Sequence, residues 1–156
     1  MSLLWLQLNH LSILKEKEAY MSRISVAASK IEVLEGQGIG EGDLEIRLNV
    51  SEGNHSMTWP SFDGSEKVDN GGAPKSIENG EVAYYTVNTG TLSKMFTINV
   101  TEADSGFNAD DTGLGYITFS LAPNMQATTQ YADIKLNRKN SKEKGKVRVT
   151  LKAQVA

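Results

Sequence analysis

Cysteine is absent from this 156-residue chain. Without a thiol there is no disulfide, no thiolate metal site and no cysteine nucleophile, while the redox compartment stays open because secreted and cytosolic proteins alike can lack cysteine. Histidine is nearly as scarce. His10 and His55 stand far apart, in no ligand spacing and beside no nucleophile motif, so the expected protein is not an enzyme and no small-molecule substrate is expected. Positive charge is also in deficit: 16 Lys and Arg against 19 Asp and Glu leave a net charge of -3. Such a surface repels polyphosphate as a whole, which argues against nucleic acid as a partner.

The opening residues MSLLWLQLNHLSIL are apolar, but no Lys or Arg precedes them and Asn9 and His10 interrupt them, so they do not read as a signal peptide. Leu4, Leu8 and Leu11 recur at helical spacing. Residues 1–22 are therefore expected to be a short helical or disordered extension, and residues 23–156 a single domain of ordinary size. No transmembrane helix is expected, and a cytoplasmic location is favoured.

Beyond residue 24 the dominant period is two. In GDLEIRLNV, Leu44, Ile46, Leu48 and Val50 share one face, and Glu45, Arg47 and Asn49 the other, as in a half-buried strand. The same alternation groups Phe96, Ile98 and Val100, then Ile117, Phe119 and Leu121, then Ala132, Ile134 and Leu136, then Val147, Val149, Leu151 and Ala153. ISVAA, the Ile31 and Val33 pair, Met57 with Trp59, and EVAYYTVN add weaker cases. Between the runs lie GQGIGEGD, SFDGSEKVDNGGAPKS, NTGT, ADSGFNADDTG and NRKNSKEKGK, rich in residues that tolerate positive φ or bond to their own backbone. About eight short strands with such turn signals predict an all-β antiparallel sandwich.

The stretch TEADSGFNADDTGLGY, residues 101–116, gathers four carboxylates within a glycine-containing turn. Crowding that much negative charge is unfavourable unless a cation neutralises it, and calcium accepts clustered carboxylates and backbone carbonyls. A solvated acidic hairpin is the competing reading. An EF-hand does not fit: Asn108, Asp110, Thr112 and Gly113 imitate the start of its loop, but Phe119 stands where the bidentate Glu is required.

Taken in order, KIEVLEGQGIGEGDLEIRLNV, MFTINVTEADSGFNADDTGLGYITFSL and GKVRVTLKA resemble a C2 domain, the calcium-dependent lipid-binding β-sandwich. The resemblance runs from about residue 30 to residue 153. It implies a third calcium loop spelled Glu102-Ala103-Asp104, Asp110-Asp111 and Leu114-Gly115, with Asp43 supplying a first-loop aspartate. On that basis Asp43, Glu102, Asp104, Asp110 and Asp111 are the expected metal ligands, calcium the expected ion, and an anionic membrane surface or a protein the expected partner. Four features depart from the family pattern: Gln37 stands where a second aspartate is expected, Leu44-Glu45 replaces Pro-Tyr, Glu102 replaces Asp, and the Asn-Pro-aromatic-Asn signature of the middle loop is absent. Fewer ligands weaken binding, to a dissociation constant of about 10⁻⁴ to 10⁻³ M.

Phe107 and Ile39, on glycine-flanked loops, are the apolar residues expected to touch the membrane or partner, Phe107 foremost; either could instead fold back as a cap over the sandwich end, the favoured reading for Ile39. Arg138, Lys139, Lys142 and Lys144 belong to a basic hairpin that could meet an anionic surface, although such runs commonly serve only solubility and edge protection. Tyr84, Tyr85 and Trp59 could stack on a sugar, but in a sandwich they are expected to pack in the core or on a sheet face. A calcium-free interaction module and a glycan-binding sandwich are the other function classes the sequence admits.

Overall fold

The computed structural model describes residues 22–36, 43–61, 64–103, 111–137 and 144–156. Among them are ten strands and no helix: β1 Ser22–Glu35, β2 Leu44–Glu52, β3 His55–Trp59, β4 Glu66–Val68, β5 Lys75–Ser76, β6 Glu81–Val87, β7 Leu92–Glu102, β8 Asp111–Leu121, β9 Thr128–Asn137 and β10 Lys144–Val155. The expected extension over residues 1–22 lies outside the described residues except for Ser22, which already pairs with Val87 and Asn124.

All ten strands belong to one curled antiparallel sheet in the order β3-β2-β7-β8-β9-β10-β1-β5, with β4 also pairing with β2 and β6 with β1. At the middle of that order, the β8–β9 ladder consists of a single pair, Thr112 with Asn137. The sheet folds over at this seam, so that β2, β7 and β8 face β1, β9 and β10 across a common core, as in a sandwich. The inward residues expected from the period of two are buried in that core, from Leu44 to Val50 on β2 and from Val147 to Ala153 on β10, with Ala132 of β9 only partly buried against it. Phe96 and Phe119 are wholly buried and meet edge to face at 6.0 Å, and Tyr85 reaches Phe96 from the other half.

The strand count exceeds the expected eight for a local reason. β4 and β5 have three and two residues, too few to show a period, and they lie inside the turn-rich stretch SFDGSEKVDNGGAPKS. Conversely, ISVAA and the Ile31–Val33 pair join into one 14-residue strand, β1, whose inward parity changes from Ile24, Val26 and Ala28 to Ile31 and Val33. A bulge between Ala28 and Lys30 makes the change, and the displaced Ser29 is held by its Oγ donating to Thr150 O at 3.2 Å and its carbonyl accepting from Ile77 N at 2.9 Å. The neighbouring Ala28 N donates to Gly80 O at 2.8 Å. Gly80 is required there, because a Cβ would stand 2.1 Å from Ala28 O.

Candidate functional site

Strand register decides which connections share an end of the sandwich. Ile46 pairs with Glu102, placing the start of β2 beside the end of β7, and Leu44 pairs with Val68 at the end of β4. Glu102 pairs with Asp111, Thr112 with Asn137, Asn137 with Lys144, and Glu35 with Lys146. The strand ends bounding residues 36–43, 69–74, 103–110 and 138–143 therefore all meet at one end. Sequence segments far apart in the chain, one acidic and one basic, leave the sheet side by side.

Three of the five expected ligands fall among the described residues. Glu102 and Asp111 are directly opposed across β7 and β8, with 6% and 0% of their surface exposed. Asp111 is thus the first residue of β8, a buried strand position rather than a loop tip. Ala103 N bonds to Glu45 O at 2.8 Å, which extends the β2 contact one residue beyond Glu102. Asp43 is exposed and lies in an open cleft with Lys67, Asp69, Pro74 and Lys75. Its neighbour there is Asp69: a hydrogen bond with Asp43, followed by the repulsion of its charge, raises the Asp69 carboxyl above the ordinary aspartate value.

Asp69 sits in the turn sequence Asp69-Asn70-Gly71-Gly72, whose composition signals only a turn. No spacing rule links it to Asp43; the pairing of β4 with β2 does so. Lys75, in the same cleft, is engaged by Glu66 instead, its Nζ standing 2.8 Å from Glu66 Oε1 and 2.9 Å from Lys67 O.

Among the described residues no three acidic or histidine side chains converge on a point that could hold a metal ion. Asp104, Asp110, Phe107 and Ile39 lie outside the described residues, as do Gln37, Arg138, Lys139 and Lys142. Lys144 opens β10, opposite Asn137. Nearer the middle of the hairpin the basic side chains are matched by acids. Arg148 holds Asp133 through Nε at 2.8 Å and a second nitrogen at 3.1 Å, lies 3.9 Å from Glu32, and stacks 4.0 Å above the Tyr131 ring. Lys146 approaches Glu35 at 3.8 Å.

The aromatic trio does not form a platform. Trp59 and Tyr85 are buried in the core, and Arg23 covers the Tyr84 ring at 4.0 Å. Burial, and then the charge of Glu52, pushes the Tyr85 hydroxyl above its ordinary range; Glu52 lies near that hydroxyl without completing a hydrogen bond of good geometry. His55 begins β3 just past the Gly53–Asn54 turn, its ring edge against Tyr85 at 5.7 Å.

No protein-family model matches this chain, and no curated protein does. Among solved structures, a C2 domain of plant extended synaptotagmin 1 resembles it with a TM-score of 0.34 at 13% identity, over 86% of this chain and 95% of that one. This is a weak, fold-level resemblance, and it carries no argument about function.

Proposed function

We propose that the chain is a non-enzymatic binding module which attaches to an anionic lipid surface in a calcium-dependent way through the end that these strand ends share. The observation that supports this reading is the gathering of carboxylates there: Asp43 beside Asp69, and Glu102 opposite Asp111. Asp104 and Asp110 belong to the connection between the second pair. A divalent cation would relieve the mutual repulsion and turn a repulsive acidic end into one able to share its ion with lipid phosphate. Arg138, Lys139, Lys142 and Lys144 would add attraction to the same surface, about 1 kcal/mol for each residue that reaches it.

A calcium titration tests the reading. With a dissociation constant of about 10⁻⁴ M, calcium at about 5 mM stabilises the folded state by about 2 kcal/mol, which raises Tm by about 5 °C in a domain of this size. Magnesium should do less, and Asp104→Asn should remove most of the calcium shift. Co-sedimentation with phosphatidylserine vesicles should require calcium and should weaken on Phe107→Ala. A calcium shift without vesicle binding would move the partner assignment to a protein. Neither a shift nor sedimentation would leave a calcium-free interaction sandwich.

A further inference from the structure

We propose a second binding site, for a neutral saccharide, in the cleft between β8 and β9 on the outer face of the sandwich. The cleft is open, about 590 Å³ in volume, and is lined by Asn99 of β7, Thr112 and Leu114 of β8, and Asp133, Lys135 and Asn137 of β9. It exists because β8 and β9 run side by side after forming only the Thr112–Asn137 pair. Gly113 and Gly115 permit that approach without a continuous ladder. A Cβ at Gly113 would stand 2.4 Å from Lys135 O, and one at Gly115 would stand 2.7 Å from Ile134 Cγ1. Both glycines let the strands approach at the seam, and Gly113 itself lines the cleft.

The lining chemistry selects the ligand class. Asn99 and Asn137 each offer an amide that donates and accepts, and the Thr112 hydroxyl does both, the pattern that neighbouring sugar hydroxyls require. Charge is balanced. The Asp133 carboxylate is engaged by Arg148, which lowers its pKa, and Lys135 is the one ammonium of the lining. A polyanion would find too few cations here, and an apolar ligand too many polar groups to desolvate. Large side chains continue the same faces: Leu114 is 52% and Tyr116 54% exposed. Counted from the Thr112–Asn137 pair, Tyr116 comes opposite Asp133. Tyr116 stands just beyond the lining, two residues past Leu114 on the outward face of β8, and in the proposed complex its ring would take the C–H face of a sugar while the amides take the hydroxyls. The cleft adjoins the acidic end through Thr112 and Asn137, but none of the carboxylates assigned to that end lines it.

Amide-detected NMR of the full chain, titrated in EDTA with cellotetraose, xylotetraose, mannotetraose and maltotetraose, tests the site apart from any calcium effect. At least one sugar should saturably shift the Asn99 and Asn137 side-chain amides and the Gly113 backbone amide. Tyr116→Ala should weaken that binding about tenfold, Tyr116→Phe should retain it, and Tyr84→Ala should leave it unchanged. The proposal is overturned if none of the four sugars shifts these resonances, if the shifts map elsewhere, or if Tyr116→Ala binds as tightly as the parent. Concentration-dependent shifts of the same resonances without sugar, and none on adding it, would instead assign the face to self-association.

Discussion

Asp69 and Asp133 respond to their neighbours in opposite directions, and stability should record both. Asp69 shares a hydrogen bond with another carboxyl, so its pKa in the folded chain lies above the ordinary 3.8. The native state then holds its proton more tightly than the unfolded chain, and stability falls as pH rises from 3.8 through the raised value. Asp133 is held by the Arg148 fork and its pKa is lowered, so its contribution is present above 3.8 and is lost as pH falls below it. In EDTA at pH 7, Asp69→Asn is expected to raise Tm slightly and Asp133→Asn to lower it. Thermal melts at pH 3 should show the Asp69→Asn gain gone. If calcium occupies the acidic end, adding it at pH 7 should abolish that gain, since the ion removes the repulsion the substitution relieves.

At the scale of the element, β1 shows how one residue changes the facing of a strand. Ala28 pairs with Leu151 and Lys30 with Thr150, two adjacent positions of β10, so Ser29 is the extra residue. Deleting it restores a regular period that keeps Ile24, Val26, Ile31 and Val33 pointing inward. The cost is the Ser29 hydrogen bonds to Thr150 and Ile77, about 1 kcal/mol each. Deleting Arg47 from the unbulged β2 does the opposite, sending either Leu44 and Ile46 or Leu48 and Val50 to the solvent face. Circular dichroism melts should find the Ser29 deletion folded with a Tm lowered by several degrees. The Arg47 deletion should show no cooperative transition. A folded Arg47 deletion would mean that the register of β2 is not fixed by its inward residues.

Across the whole molecule, the two halves are held together by the core between them. Phe119 lies at the centre of that contact, wholly buried on β8 against Phe96 of β7. Its replacement by Ala should cost about 3 to 5 kcal/mol, as truncation of a buried aromatic does, and lower Tm by about 10 °C. A substitution on the outer face, such as Thr118→Ala, should change Tm by less than a tenth of that. The same fold that buries Phe119 brings to one end the strand ends that bound the acidic and basic stretches.

The alternation of apolar residues made the fold class and nearly every inward residue legible, because a side-chain period of two leaves a strand only one face to bury. The acidic stretch was legible as a candidate cation loop for an equally local reason: its carboxylates are close in sequence. Long-range proximity was not encoded in this way. Asp69 comes beside Asp43 because β4 pairs with β2, and Asp111 is buried because β8 begins inside the stretch whose composition signals a turn. The cleft beside Tyr116 required two strands to run together with only one paired rung. Periodicity depends on neighbours along the chain, whereas these sites depend on which strands become neighbours in space, and that was decided only when the sheet folded over its seam.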